Sequence, residues 1–136
     1  MPANITGSCL CKAVKYTITG HIKAAANCHC NTCKKNTGGA FTSLVIVGDE
    51  SFRFDQGEGS LSAYQVSEQA TKHFCRICGT PLFNVHQKFP NNRMVTLGSL
   101  DDPTAATPAV NVYCESMLPW VKDISALNCF EKEFQR

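Results

Sequence analysis

The chain has 136 residues, 43% of them hydrophobic and 18% charged, which fits a single folded domain over 1–136 and excludes a disordered chain. No apolar run approaches membrane-spanning length, and the start MPANITGSCLCK lacks the apolar stretch of a secretory signal. The expected compartment is therefore the reducing cytoplasm, where cysteines serve metals or catalysis more than disulfides. An odd count of nine cysteines fits that expectation.

In chain order, AVKYTIT (13–19) alternates, with Val14, Tyr16 and Ile18 on one side, and predicts a half-buried strand. FTSLVIV (41–47) is a β-branched run ended by Gly48 and Asp49, and SFRFD (51–55) sets Phe52 and Phe54 on one face. SLSAYQV (60–66), TKHFC (71–75), PLFNV (81–85), RMVTL (93–97) and AVNVYC (109–114) read as further short strands. GEG, PNN and DDP punctuate the gaps. Helical signals are confined to one turn after CHCNTC and another in SMLPWVKDI. The pattern predicts a mainly β domain, sandwich-like or barrel-like, with few helical turns.

The cysteines fall into separate units. CLC supplies Cys9 and Cys11, CHCNTC supplies Cys28, Cys30 and Cys33, CRICG supplies Cys75 and Cys78, and Cys114 and Cys129 stand alone. On an extended backbone, thiols one residue apart share a face. A C-x-x-C turn points both sulfurs inward, and Gly79 relieves the backbone after it. A tetrahedral zinc takes four such sulfurs, so CLC and CRICG together close one site and staple an early segment to a late one. The three thiols of CHCNTC can hold a second zinc with one position left for water or substrate, the composition of a catalytic site. Two readings compete. His73, His86 or Cys114 completes a second structural site, or Cys30 and Cys33 form a redox pair. The second is disfavoured, because no βαβ pattern surrounds the motif and Cys28 would be unexplained. Seven zinc-bound thiolates would take the formal charge from +2 to about −1, which removes the electrostatic case for nucleic-acid binding. Lys12, Lys34, Lys35 and Arg76 adjoin the cysteines, either as plain surface cations or as local charge balance.

With these motifs in view, the chain resembles the glutathione-dependent formaldehyde-activating enzyme family, which is shared with centromere protein V. The resemblance rests on GSCLCKAVKY (7–16), CHCNTCKKNTGGAF (28–41), FCRICGTPLF (74–83), LGSLDDP (97–103) and Trp120. It implies a β-tent of short antiparallel sheets around zinc, with two zinc ions per chain. Cys9, Cys11, Cys75 and Cys78 would hold the structural one, and Cys28, Cys30 and Cys33 the catalytic one. It also implies a carbon–sulfur lyase-type reaction in which glutathione and formaldehyde give S-hydroxymethylglutathione. The chain departs from many relatives in its late strand, which here reads VNVYCESMLPW.

Other residues admit two readings each. His29 lies between two ligands and faces away from them on an extended backbone, so burial or a backbone hydrogen bond is expected rather than ligation. Lys34 and Lys35 are candidates to meet a glutathione carboxylate. Gly38 and Gly39 form either a turn or an open backbone against which a peptide-like ligand lies. Cys114 is expected as a buried thiol on a face with Val110 and Val112, and Cys129, Trp120 and the Phe residues as packing. The B-type methionine sulfoxide reductases resemble this fold and carry a late catalytic cysteine, but the arginine and asparagine that flank theirs are Val112 and Ser116 here. The reading that results is a cytoplasmic two-zinc enzyme acting on a small thiol and a small aldehyde, with no nucleic-acid or membrane partner. The alternatives are a non-catalytic zinc-binding interaction module and a thiol redox enzyme using Cys114.

Overall fold

The computed structural model describes residues 4–135, so Met1, Pro2, Ala3 and Arg136 of the expected 1–136 domain lie outside the described residues. The fold is mainly β. Among the described residues ten strands run in chain order: β1 (Ile5–Ser8), β2 (Lys15–Ile18), β3 (Ala24–Cys28), β4 (Thr42–Gly48), β5 (Phe52–Gln56), β6 (Leu61–Gln65), β7 (Ala70–Cys75), β8 (Pro81–His86), β9 (Asn92–Thr96) and β10 (Val110–Val112). A single α-helix among the described residues, α1 (Asn31–Thr37), follows β3, and the remaining helical turns are of the 3-10 type. The strands form a three-stranded sheet, β1-β2-β5, and a seven-stranded sheet, β10-β3-β4-β9-β8-β7-β6. Every pair is antiparallel except β10 beside β3, which is parallel. No helix among the described residues is long and apolar enough to cross a membrane.

The alternation read in 13–19 is the inner face of the small sheet, where Val14, Tyr16 and Ile18 are fully buried. They meet Val45, Val47, Val95 and Phe83 of the large sheet, and Cys9 and Cys75 lie in the same core. The Tyr16 ring stacks on Phe52, with centroids 4.8 Å apart. Its hydroxyl bonds Ser99 Oγ at 2.6 Å, and Ser99 in turn donates to the Thr96 carbonyl at 2.8 Å. Tyr16→Phe removes one buried hydrogen bond and leaves the ring packed. An expected loss of about 1 kcal/mol follows, read as a lower urea midpoint at unchanged slope.

Two strands escape the period-two reading. β1 is a four-residue segment, ITGS, with one branched aliphatic, and β3 is built on Ala24, Ala25 and Ala26. Alanine has little β preference, so β3 is a strand because β4 and β10 flank it. The late strand is shorter than expected. It stops at Val112 because Tyr113 enters the left-handed region (φ 59°), and Cys114 begins a 3-10 turn. The expected burial is therefore overturned. Val110, Val112 and Cys114 are all exposed, and β10 is the edge strand of the seven-stranded sheet. Cys129 is exposed and Trp120 is half exposed, because the chain beyond residue 118 packs little against the sheets. The phenylalanines divide: Phe52 and Phe83 are buried, and Phe89, Phe130 and Phe134 are exposed.

Candidate metal and active centre

All nine cysteines lie among the described residues and are free thiols. Seven of them gather into two groups, Cys9, Cys11, Cys75 and Cys78, and Cys28, Cys30 and Cys33. Within each group every sulfur lies within 4.8 Å of the others.

The four-thiol group is built by two similar turns. In the first, Lys12 N–H donates to the Cys9 carbonyl at 3.0 Å, and Lys12 takes a positive φ of 69°. In the second, Gly79 N–H donates to the Cys75 carbonyl at 2.8 Å with φ 80°. CLC is thus a turn and not an extended pair, and this turn is what directs both sulfurs inward. Thr80 braces the two turns: its Oγ1 accepts from Leu10 N–H at 3.0 Å and lies 3.2 Å from Cys78 Sγ. That hydroxyl contact draws the Cys78 thiol down to about 5. Cys9 and Cys11 sulfurs are 3.6 Å apart, and Cys11 and Cys75 sulfurs 3.8 Å. A regular tetrahedron of zinc–sulfur bonds of ~2.3 Å has edges of about 3.8 Å, so the four sulfurs fit zinc.

The three-thiol group sits where β3 runs into α1. Cys28 ends the strand. Cys30 is the N-cap of α1, its sulfur accepting from Cys33 N–H at 3.3 Å. Cys33 lies one turn into the helix on its buried side. Cys28 and Cys33 are buried with Leu44, while Cys30 and Met94 are half-buried beside them. The crowded thiols divide their protons unequally. A hydrogen bond from Cys28 brings Cys33 down to about 5, opposed by its burial and aided by Lys72, and the same bond pushes Cys28 up. Among the described residues no His, Cys, Asp or Glu adds a fourth ligand atom to this group.

The residues named as competitors lie elsewhere. His73 stacks on Phe83 with centroids 4.5 Å apart, and burial lowers its pKa. His86 Nδ1 accepts from Lys88 N–H at 3.0 Å. Cys114 Sγ donates to the Asn111 carbonyl at 3.5 Å. His29 is fully buried, with Nε2 2.9 Å from Asn111 Oδ1 and Nδ1 without a partner. The side chain of β10, and not the backbone, is therefore what fixes its ring.

Lys34, Lys35, Gly38 and Gly39, with Asn31, line one shallow hollow of about 350 Å³ on the outer side of α1. Gly38 is the left-handed C-cap that ends the helix (φ 75°). Lys34 Nζ already donates to the Ser116 carbonyl at 2.6 Å, which ties α1 to the late segment, and Lys35 is exposed. A larger hollow of about 450 Å³ lies beside Cys9 and Leu10 and is lined by none of the three thiols.

The structure adds one charged residue that the sequence did not single out. Lys72 is buried on β7, with Nζ 3.8 Å from Cys33 Sγ. The alternation in TKHFC separates Lys72 from His73 but does not say which of the two faces the thiols.

A family model described as glutathione-dependent formaldehyde-activating enzyme matches residues 4–116 of this chain. The chain is 31% identical over 77 residues to an uncharacterized lyase of Schizosaccharomyces pombe. That match covers 57% of this chain and 54% of the other, so the chain spans about half the length of the curated relative it matches. A crystal structure of a Rhodobacter sphaeroides protein, a structural genomics target, superimposes with a TM-score of 0.65 at 21% identity. It covers 79% of this chain and 99% of that one, which is a likeness of fold.

Proposed function

The chain belongs to the glutathione-dependent formaldehyde-activating enzyme family, and from that premise we propose that it joins glutathione to formaldehyde, making and breaking the carbon–sulfur bond of S-hydroxymethylglutathione as a lyase-type enzyme. The observation that carries the reading is the three-thiol group, a ligand set one donor short of a tetrahedron among the described residues. A zinc ion bound there would supply a Lewis-acid position at which an incoming thiol loses its proton. Cys28 and Cys33 form the buried floor of that position, and the half-buried Cys30 is the side open to a ligand. α1 holds the Cys30 and Cys33 sulfurs at a fixed spacing through the cap bond between them. The hollow formed by Lys34, Lys35, Gly38 and Gly39 receives a carboxylate of the tripeptide, with Lys35 the freer cation. The four-thiol group holds the first zinc, a structural one, and the three-thiol group the second. The whole of 1–136 acts as one zinc-binding domain of the β-tent kind in the reducing cytoplasm, where free thiols persist.

Calorimetry tests this reading. Glutathione should bind the zinc-loaded protein and release about one proton at neutral pH, seen as a heat that differs between two buffers of unlike ionisation enthalpy. S-methylglutathione, whose sulfur cannot become a thiolate, should bind roughly tenfold or more weakly, a difference of about 1.4 kcal/mol. The preference should disappear in Cys30→Ser and persist in Cys114→Ser, whose thiol stands at the exposed edge. Equal binding of both ligands, or no released proton, would mean that the position is already filled, leaving a zinc-binding interaction module in place of an enzyme.

A further inference from the structure

Lysine is rarely buried without a partner of opposite charge, because removing an ammonium from water carries a large desolvation penalty. Lys72 is only 6% exposed, in the middle of β7. β7 pairs with β8 so that Lys72 stands opposite Asn84, and β8 pairs with β9 so that Asn84 stands opposite Met94. Residues directly opposite each other on paired strands share a face. The row Lys72, Asn84, Met94 therefore lies on one side of the sheet, and Met94 packs against the group of Cys28, Cys33 and Leu44. The neighbour on β7, His73, points to the other side, where it stacks on Phe83.

The ammonium has two partners. Asn84 Oδ1 accepts from Nζ at 2.8 Å when its amide is oriented so that Nδ2 donates to the Phe83 carbonyl at 3.3 Å. Cys33 Sγ lies 3.8 Å away, within reach of a sulfur acceptor. The ion pairs found among the described residues are Arg53 with Asp55 and Arg93 with Asp49, so no carboxylate there answers the Lys72 charge. The counter-charge is the thiol group itself. A divalent metal held by three thiolates carries a net charge of about −1, which one lysine cancels.

We propose that Lys72 is a positioning residue of the three-thiol centre: oriented by Asn84, it directs a charge-assisted hydrogen bond at the Cys33 sulfur and neutralises the metal–thiolate group from the buried side of the site. This rests on the reading of Cys28, Cys30 and Cys33 as a metal site and adds the group that tunes it. A hydrogen bond to a ligating sulfur withdraws electron density from the metal–sulfur bond and makes the metal a stronger Lewis acid. Groups that support a ligand in this way typically change metal affinity 10–100-fold when removed.

The test uses full-length protein loaded with zinc or with cobalt(II), whose sulfur-to-metal charge-transfer bands report thiolate donation. Lys72→Met keeps length and removes charge and donor. It should lose the second metal to a chelator at least about tenfold faster than wild type, with the first metal retained, and should shift the cobalt charge-transfer band. Lys72→Arg, which restores a cation and donors, should recover most of the retention. Asn84→Ala leaves the ammonium but removes what aims it, and should move retention and band in the same direction by several-fold; it decides the matter if Lys72→Met does not fold. Unchanged retention and spectrum in both Lys72→Met and Asn84→Ala overturn the proposal while the metal site stands. A wild type that binds one metal per chain overturns the metal-site reading itself, and this role with it.

Discussion

Serine at Cys75 will leave a chain without a cooperative unfolding transition, whereas serine at Cys30 will leave one that folds. Cys75 is completely buried in the core shared by the two sheets, and its sulfur lies 3.8 Å from that of Cys11, 64 residues earlier. The four-thiol group thus joins the turn after β1 to the turn after β7. Structural zinc sites contribute about 10–16 kcal/mol of apparent binding energy at neutral pH, as much as the whole stability of a typical domain at about 5–15 kcal/mol. Loss of one ligand from a closed site should therefore remove most of the folding free energy, and the serine hydroxyl left in the core would lack the partner that the metal supplied. Cys30 is half-buried and belongs to a small cluster on the other side of the large sheet, with Leu44 and Met94. Its loss should empty the second site of metal, while the serine hydroxyl, itself a favoured N-cap acceptor, takes over the bond from Cys33 N–H and keeps the start of α1 in place. Circular dichroism melts together with metal content per chain check both halves. Equal damage from the two substitutions would mean that the centres do not divide structure and chemistry between them.

Alanine at Gly57 should destabilise the protein by roughly 3 kcal/mol or more, while alanine at Gly59, two residues on, should be nearly neutral. Gly57 follows β5 with φ 79°, a region in which a side chain is disfavoured by about 1–2 kcal/mol. A Cβ there would also press into the carbonyl of Ala13 and the Cα of Val14. These are backbone atoms, so relief requires moving the start of β2, and overpacking of this kind costs about 1–3 kcal/mol. The movement would reach the first metal turn directly. Cys9 N–H donates to the Val14 carbonyl at 3.1 Å, and Val14 N–H points at Cys9 Sγ at 3.3 Å. Gly59 has no atom within 4 Å of its would-be Cβ. There, reduced freedom of the unfolded chain should offset any local strain. Urea unfolding of the pair at one temperature gives the comparison. A Gly57→Ala variant within about 1 kcal/mol of wild type would show that the backbone yields more easily than this packing implies.

The β character of the chain and the grouping of its cysteines are legible without the fold. Alternation in 13–19 and 51–55 marked faces that are now the core of the small sheet, because a strand's period of two depends on the backbone alone. The cysteine spacing separated two two-thiol units, CLC and CRICG, from a three-thiol run, since such grouping needs only neighbouring residues, but it did not show that CLC is a turn and not an extended pair. Three things depended on tertiary structure. β3 is a strand by virtue of its neighbours, for three alanines carry no pattern of their own. Cys114, Val110 and Val112 are exposed because β10 lies at an edge, and a strand's place in a sheet is set by pairing across the chain: β10 runs beside β3, more than eighty residues earlier. Lys72 reaches Cys33, 39 residues away, only because the register of β7, β8 and β9 lines Lys72, Asn84 and Met94 along the face that carries the thiols. Local patterns report which residues share a face. What that face touches is decided by register, and register depends on contacts between segments far apart in the chain.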